Sequence, residues 1–504
     1  DRFLYGSVGG SALGIPYPIF MVLPRVFPDL VAQYATEGYG PAKPGWGGYG
    51  AFGVAWEQGQ ALPAGFSIDH RLYDRVTITC ALCHTATWRD SVDGDQHVVA
   101  GGPSHGLNLG NLVHFLVAAA RDNRFNSARL LPEIALNFPL NWFEAKLYGW
   151  VLIPATRFAF DMAGRQLAWT NDRPAWGPGR DDAFNLPKFI LTQTTWDDTV
   201  GNTDFPALWR MRLRDGMPLH AGGEGVSLYG VTATSALGVG SLPLPGFHAR
   251  NDWIVAFLRD LPPPPFPDPV DPSEVSAGRA VYTTHCAACH EPGGGRTGSV
   301  IPLQEIGTDP EHVRTWQEQD AARMNRLTRA IGMGDAPLRG ASGYVARPLT
   351  GVWLLAPYLH NGSVPTLADL LRPPADPPAV FWRGYDVLDR VQVGFVTTGK
   401  DAEARGFRFD RGLAGEQDAV VDLRLHRIDQ RLRLVAEDHR AHAEIVVDQP
   451  VAIDVVEIGA FATLEHQRGG RDVEAEIAVH AAGDPLRVGA DRLDGFIEAE
   501  RARR

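Results

Sequence analysis

Two short stretches of sequence, Cys80-Ala81-Leu82-Cys83-His84 and Cys286-Ala287-Ala288-Cys289-His290, decide how this chain folds. They contain all four cysteines of the 504 residues, and each cysteine pair is followed directly by a histidine. C-x-x-C-H is the attachment motif of c-type haem. The two thiols can form thioethers with the two vinyl groups of a porphyrin, and the adjacent imidazole can bind the iron. The sequence therefore predicts two covalently bound c-type haems, with His84 and His290 as proximal iron ligands.

Three other uses of these cysteines stay open at this point. A thioredoxin-like C-x-x-C does not need the histidine, and it requires a βαβ context that the flanking sequence does not suggest. A single zinc site built from all four cysteines has acceptable ligands, but it does not explain why both pairs precede a histidine. Two disulfides between adjacent cysteines are conceivable in an exported chain. The haem interpretation accounts for both cysteine pairs and both histidines.

Composition and charge limit the class of protein. Hydrophobic residues make up 44% and charged residues 21%, which is typical of a folded chain of about three domains. The 55 glycines and 38 prolines favour a loop-rich architecture. The formal net charge of −12 argues against a nucleic-acid partner and against a protein held on anionic lipid. No run of ~18 consecutive apolar residues occurs, so no integral membrane segment is expected.

The haem interpretation also predicts the compartment. Covalent haem attachment in bacteria takes place outside the cytoplasm, which indicates a periplasmic or secreted protein. The sequence starts at Asp1 without the basic and apolar segments of a signal peptide. The expectation is that such a signal was removed or was never in this sequence.

Apolar spacing predicts a mainly α fold with extensive loops. Helices are predicted over three stretches, 109–120, 250–261 and 273–284. A further short helix is predicted to begin at Thr366 and to end before Pro373. The helix at 250–261 must stop at Pro262-Pro263-Pro264-Pro265, because proline cannot continue it. This proline run opens a stiff, extended segment and marks a domain boundary.

The predicted organisation has four parts. Residues 1–261 form a cytochrome c-like domain with the first haem motif and wrapping loops, and residues 273–410 form a second one with the second motif. Residues 262–272 are the Pro-rich linker. Residues 411–504 form an atypical tail, whose alternation between 443 and 458 is strand-like. This tail is either an appended β-rich domain or a stretch that is not the natural C-terminus, and we assign it no function.

Further segments are similar to one family. They are 4–7 (LYGS), 76–87 (VTITCALCHTAT), 197–206 (DDTVGNTDFP), 235–238 (SALG), 347–349 (RPL), 356–367 (APYLHNGSVPTL), 393–395 (VGF) and 407–410 (FRFD). With them, residues 1 to about 410 resemble the large bacterial di-haem c-type cytochromes related to rubber oxygenases, within the di-haem cytochrome c peroxidase superfamily. The P-Y-L-H-N-G-S-V-P-T-L block is quite specific to this superfamily. Two departures are the absence of an aromatic in 219–223 (LHAGG) and of the relatives' Asn/Gly-rich stretch after Asp410.

For the first haem, the resemblance to rubber oxygenases implies an open, aromatic-lined distal side. Four residues are candidates for that lining: Trp196, Phe205, Trp209 and His220. Core packing is the alternative for each of them. The peroxidase resemblance instead implies a distal histidine downstream of the motif, for which His97 and His105 are placed, with a surface histidine as the alternative.

For the second haem, the resemblance implies six-coordination and a role as an electron reservoir. Peroxidase relatives place a methionine after the P-Y-x-H block, whereas residues 370–374 contain none. Met324 and Met333 are the methionine candidates for this sixth ligand. The family expectation is a C-terminal histidine, for which this tail offers His426, His439 and His442. His360 is expected to support a loop near the haem edge through a hydrogen bond.

We therefore expect an exported di-haem c-type cytochrome with redox function, an oxygenase-like or peroxidase-like oxidoreductase. Its N-terminal haem would activate dioxygen or peroxide, and its C-terminal haem would transfer or store electrons. The alternative is a non-enzymatic two-haem electron-transfer protein. The expected partner is a soluble redox protein or a small-molecule oxidant. Fold-level similarity does not name an organic substrate, and the sequence sets no oligomeric state.

Overall fold

A computed structural model describes most of the first 415 residues and two strands near the C-terminus. The described ranges are 2–6, 14–35, 48–57, 59–70, 73–334, 336–373, 377–413, residue 415, 477–481 and 484–488. Residues 1–425 form one compact unit and residues 426–504 form a second. The predicted strand-like stretch between 443 and 458 lies outside the described residues.

Helices dominate the described part of the first unit. The α-helices are α1 Arg2–Tyr5, α2 Tyr17–Val26, α3 Pro28–Tyr34, α4 Leu109–Arg121, α5 Ser127–Asn137, α6 Trp142–Leu147, α7 Ile153–Gln166, α8 Leu228–Gly238, α9 Phe247–Asp260, α10 Pro272–His285, α11 Ala287–His290, α12 Leu303–Ile306, α13 Glu311–Thr315, α14 Glu318–Ala330, α15 Leu367–Leu370 and α16 Lys400–Arg405. Two π-helical segments, Tyr148–Leu152 and Pro187–Leu191, and short 3-10 turns complete the helical structure. This helix-rich, loop-rich structure agrees with the predicted mainly α class.

The strands are short and pair locally. They are β1 Ile15–Pro16, β2 Phe66–His70, β3 Asp74–Ile78, β4 Thr85–Trp88, β5 His97–Ala100, β6 Arg180–Asp181, β7 Thr203–Asp204, β8 Val300–Pro302, β9 Gly343–Val345, β10 Val380–Arg383, β11 Leu388–Asp389, β12 Gly394–Phe395, β13 Phe407–Asp410, β14 Ile477–Ala481 and β15 Asp484–Val488. One sheet has the order β1-β3-β2, and the pairs β4-β5, β6-β7, β8-β9, β10-β13, β11-β12 and β14-β15 are each antiparallel. The pair β14-β15 belongs to the second unit.

The four helices that the sequence predicts are confirmed. They are α4, α9, α10 and α15. Local signals explain their ends: the side chain of Asn108 accepts from the backbone N–H of Asn111 at the start of α4, and Thr366 Oγ1 accepts from the N–H of Asp369 at the start of α15. Pro262 follows Leu261, the C-cap residue of α9, and prevents the helix from continuing. The prediction of two cytochrome c-like domains with a linker at 262–272 stays a prediction.

Segments far apart in the sequence hold the first unit together through buried polar contacts. The guanidinium of Arg383, fully buried in β10, donates to the carboxylate of Asp204 in β7 at 2.7 Å. It also donates to the carbonyl oxygens of Asn361 and Gly362, at 3.1 and 3.3 Å. A buried guanidinium needs these acceptors, because an unpaired buried charge is costly. Strand β10 is thereby tied to the segment that ends at Pro206.

We expect Asp204→Asn to lower the free energy of unfolding by about 3 kcal/mol, because it leaves the Arg383 charge buried without its counter-ion. Denaturant unfolding of the holoprotein measures this loss. Asp260→Asn is the matched control, since Asp260 pairs with Arg212 at the surface, where both side chains are more than half exposed. The control should change stability little, and equal losses in the two variants would contradict the account.

Candidate haem-binding sites

Both C-x-x-C-H motifs fold into a single helical turn. In the first, Cys80–Leu82 is a 3-10 turn between β3 and β4, and the backbone N–H of His84 donates to the carbonyl of Cys80 at 3.1 Å. In the second, Cys286 ends α10, and the N–H of His290 donates to its carbonyl at 2.9 Å. The same i to i+4 bond therefore holds the first cysteine and the histidine of each motif within one turn.

The first turn is packed tightly by its neighbours. Gly65, at φ +88°, approaches it so closely that a Cβ there would lie 2.2 Å from the backbone N of Leu82. Only glycine tolerates both this conformation and this contact. The N–H of Thr79 in turn donates to the carbonyl of Gly65 at 2.8 Å, which fixes the start of the motif.

Each motif histidine points one ring nitrogen at a backbone carbonyl from a distant segment. The Nδ1 of His84 lies 2.8 Å from the carbonyl oxygen of Pro206, and the Nδ1 of His290 lies 2.8 Å from that of Arg347. Because a carbonyl can only accept, Nδ1 carries the proton in both rings. In the neutral ring this leaves the lone pair on Nε2, the atom that a proximal histidine offers to iron. Burial lowers the pKa of His84 to about 4, against the opposing effect of the Pro206 hydrogen bond, so the ring is neutral near pH 7.

The state of the four cysteine side chains also fits a c-type haem. All four cysteines are free thiols, which gives the disulfide alternative no support. Burial raises the pKa of Cys80 to about 11, so this sulfur is a neutral thiol at ordinary pH. In the described part of the chain no three His, Cys, Asp or Glu side chains are gathered to hold a metal ion, which the four-cysteine zinc alternative requires. Two free thiols and one oriented imidazole at each motif are what a c-type haem needs.

The four candidates for the distal lining lie in different environments. Phe205 is buried with its ring centroid 6.5 Å from that of His84, on the side of the proximal imidazole. Trp209 is buried and donates from Nε1 to the carbonyl of Ala100 at 2.9 Å. The side chain of Trp196 is half exposed. His220 is half-buried, at φ +63°, with its ring against Phe184 at 5.3 Å.

Trp209 connects the first motif to the C-terminal part of the unit. A Cβ on Gly102 would lie 2.8 Å from its ring, and a Cβ on Gly351 would lie 2.7 Å from it. Gly102 follows β5, and Gly351, at φ +65°, comes shortly after β9. Pro263 of the proline run is equally close to Gly351. The indole therefore fills a slot that exists because these glycines have no side chain.

The two histidines expected as sixth ligands of the first haem are already engaged. His97 is exposed, stacks on Trp88 with ring centroids 3.9 Å apart, and lies 3.5 Å from the carboxylate of Asp90. His105 is buried and its Nε2 donates to the carbonyl of Thr87. Among the described residues, the Nδ1 of His105 has no hydrogen-bond partner.

The candidates for the sixth ligand of the second haem lie partly inside and partly outside the described residues. Met324 and Met333 are both buried in one apolar cluster with Phe184 and Trp316. His426, His439 and His442 lie outside the described residues. His360 makes a hydrogen bond, as expected: the Tyr344 hydroxyl donates to the carbonyl of Asp309 at 2.6 Å, so the Nε2 of His360 donates to the tyrosine oxygen at 3.0 Å.

A buried acid–base pair escaped sequence reasoning. The Nε2 of His312 donates to the carboxylate of Glu224 at 3.0 Å, and its Nδ1 lies 2.9 Å from the hydroxyl of Thr203. Both side chains are essentially inaccessible to solvent. Burial raises the pKa of Glu224, but the hydrogen bond and charge of His312 outweigh it and the net pKa is lowered. Phe184 and Tyr344 pack against the ring of His312.

This pair joins parts of the chain that the sequence separates. Glu224 and His312 are 88 residues apart, and no spacing pattern links them. The two carbonyl partners of the motif histidines were missed as well, since backbone atoms carry no residue-type signal. An indirect signal existed: the family-like segment 197–206 ends at Pro206, and the segment 347–349 begins at Arg347.

Comparison with protein families gives a match to a segment that follows the second C-x-x-C-H motif. The family model "RoxA-like, cytochrome c-like" matches residues 343–383, which include β9 and the P-Y-L-H-N-G block. This match supports a cytochrome c family and a haem redox protein with covalently bound c-type haem.

Two relatives come from Sinorhizobium fredii. The uncharacterized protein y4iM is 30% identical over 269 residues, which cover 45% of this chain and 60% of y4iM. The uncharacterized protein y4iJ is 27% identical over 482 residues, which cover 73% of this chain and 78% of y4iJ. The match to y4iM therefore spans less than two thirds of that protein. Separately, none of the described helices combines the length and the apolar character needed to span a membrane.

We expect Glu224→Gln to lower the free energy of unfolding by about 2 kcal/mol at neutral pH, because it removes the buried carboxylate that accepts the hydrogen bond from Nε2 of His312. Since the folded pKa of Glu224 is lowered, its contribution is present above pH 4.5, the group's ordinary value, and is lost as the pH falls through the folded pKa. The gap between wild type and variant, measured by urea unfolding, should therefore shrink in acid. Glu305→Gln, in the exposed pair with Arg296, is the control and should change little. A gap that is independent of pH would contradict an ionised Glu224.

Proposed function

We propose that this chain is an exported di-haem c-type cytochrome with redox function. The haem at residues 80–84 reacts with dioxygen or peroxide, and the haem at residues 286–290 transfers or stores electrons. The observation that carries the proposal is the repeated geometry of the two motifs. In both, Nδ1 of the histidine is bound to a carbonyl at 2.8 Å and two free cysteines lie within one helical turn.

Three residues of each motif would hold the corresponding haem. Cys80 and Cys83 would form the thioethers of the first haem, and His84 would bind its iron through Nε2. Cys286, Cys289 and His290 would do the same for the second haem. An iron porphyrin with an open sixth position supplies the activation of dioxygen or peroxide. The carbonyls of Pro206 and Arg347 keep both imidazoles in the ligating tautomer and increase their basicity.

The surroundings of the first motif support an open sixth position. His97 is occupied by Trp88 and Asp90, and the Nε2 of His105 is occupied by Thr87. Neither histidine is therefore oriented by its contacts to serve as a ligand through Nε2. We propose that the distal lining draws on the sequence candidates Trp196, Trp209 and His220, whereas Phe205 packs beside the His84 imidazole and supports that ring.

For the second motif we propose a six-coordinate haem with Met324 or Met333 as the sixth ligand. The side chains of both methionines are buried among apolar and aromatic side chains, and ligation by methionine raises the reduction potential of a c-type haem. The division into cytochrome c-like domains 1–261 and 273–410, with 262–272 between them, belongs to the same proposal. So does a periplasmic or secreted location, which follows from the covalent attachment of haem.

Paired cysteine variants test the two attachment sites separately. We expect Cys80→Ser with Cys83→Ser to reduce the haem content from two to one per chain, and Cys286→Ser with Cys289→Ser to do the same. The reason is that each thioether uses one thiol of the motif, so a motif without both thiols forms no covalent bond to a haem. The haem content is measured by the pyridine haemochrome assay on chains expressed with a haem-lyase system. If either double variant retains two covalent haems, the assignment of that motif is wrong.

Spin state separates the enzyme from the electron carrier. We expect the oxidised protein to show one high-spin haem, which changes its optical and electron paramagnetic spectra on addition of peroxide, and one low-spin haem. The high-spin signal should disappear in the Cys80→Ser, Cys83→Ser variant and persist in the second double variant. Two low-spin haems that do not react with peroxide would instead establish a two-haem electron-transfer protein.

A further inference from the structure

The most exposed apolar side chains of the described residues are concentrated in one place. Six of them, with 53–81% of their surface exposed, lie between residues 136 and 158: Leu136, Trp142, Phe143, Trp150, Val151 and Phe158. Every other exposed large apolar side chain of the described residues is less exposed, beginning with Val270 at 51% and Trp196 at 50%. Single exposed apolar residues are ordinary, whereas a concentrated group of them marks an interaction site. We call these six residues the aromatic ridge.

Five members of the aromatic ridge lie on one nearly continuous helical run. Helix α6, the π segment Tyr148–Leu152 and helix α7 follow one another without a break. Phe143, Trp150 and Phe158 are spaced by seven and eight residues, about two helical turns each, so they line one side over about 22 Å. Leu152 and Phe160 are buried in the core. The run therefore presents apolar side chains both to the core and to the solvent.

Local contacts hold the ridge in place. Asn141 and Glu144 form a reciprocal capping box at the start of α6. Ser127 of α5 donates to the carbonyl of Gly149, and Leu131 of α5 packs against that glycine. These contacts fix the helical run against α5. The exposed side chains of the ridge therefore lie on helices that are held in place by these contacts.

Charge around the aromatic ridge is weakly basic, because α5, α6 and α7 together carry four basic and three acidic residues. The exposed charged side chains on these helices are all basic: Arg129, Lys146 and Arg165. The acidic residues are half-buried and engaged: Glu144 in the capping box, Glu133 with Arg129, and Asp161 with Arg121 and Arg165. The ammonium of Lys146 lies 5.2 Å from the ring centre of Trp142. This surface therefore differs in sign from the chain, whose net charge is −12.

We propose that the aromatic ridge docks this protein on the surface of a lipid bilayer that contains anionic phospholipid. Tryptophan and phenylalanine on one face of a helix, next to exposed lysine and arginine, are the features of helices that lie in the plane of a membrane interface. The rings would enter the headgroup region while Lys146, Arg129 and Arg165 reach the phosphates. The net charge of −12 opposes this docking only weakly, because charges more than about 8 Å from the membrane surface are screened at physiological salt.

Vesicle flotation of the full-length holoprotein tests the proposal. The vesicles are phosphatidylcholine alone and phosphatidylcholine mixed with phosphatidylglycerol. We expect the protein to float with the mixed vesicles, and we expect Trp150→Ser with Phe158→Ser to lower its partition coefficient by at least about tenfold. Val270→Ser is the control, because it removes a half-exposed apolar side chain elsewhere and should leave flotation unchanged. Lys146→Glu with Arg129→Glu should reduce binding to the mixed vesicles without removing any aromatic ring.

Several outcomes would overturn the proposal. One is a wild-type protein that does not float with either vesicle, and another is a double ridge variant that floats as well as wild type. Equal binding to both vesicle types would contradict the contribution of the basic residues. Sedimentation velocity tests whether the ridge instead binds a second copy of the chain. That conclusion would follow if the wild-type protein is a dimer that does not bind vesicles and the variant Trp150→Ser with Phe158→Ser is a monomer. Circular dichroism and haem absorbance, compared with wild type, confirm that each variant is folded.

Discussion

The constraint on which the rest of this structure depends is the orientation of two imidazole rings. Each C-x-x-C-H motif closes into one turn by itself, but the Nδ1 atom of its histidine is held by a carbonyl 122 residues away for His84 and 57 residues away for His290. The fold must therefore bring Pro206 and Arg347 to the motifs. Both partners lie in irregular segments, so the loops that carry them must be held in defined positions.

Buried contacts between distant segments keep those loops in place. Arg383 ties β10 to Asp204, two residues before Pro206. Trp209, three residues after Pro206, fills the slot between Gly102 and Gly351. The segment that supplies the His84 carbonyl is thus fixed on both sides by residues from the C-terminal part of the unit. A change at either contact is expected to alter the orientation of the His84 ring, although neither residue touches His84.

Local sequence signals predicted the parts of the structure that local forces determine. The helices α4, α9, α10 and α15 were predictable from periodicity, caps and proline. The carbonyl partners of the two motif histidines were not predictable, because every residue has a backbone oxygen and the residue type does not show which one accepts a hydrogen bond. Glu224 and His312 were not predictable either, since 88 residues separate them. The aromatic ridge was missed because exposure depends on which neighbours cover a side chain, and Trp196, expected in a pocket, is half exposed for the same reason.

The intact mass of the mature chain tests the central claim most directly. The chain is expressed with its haem-attachment machinery, extracted with acidified acetone to remove any group that is not covalently bound, and weighed by mass spectrometry. The account predicts the mass of the polypeptide plus two haems, with peptides spanning residues 80–84 and 286–290 each carrying one. A polypeptide that emerges with no added haem mass, or with haem on only one of the two peptides, would contradict it.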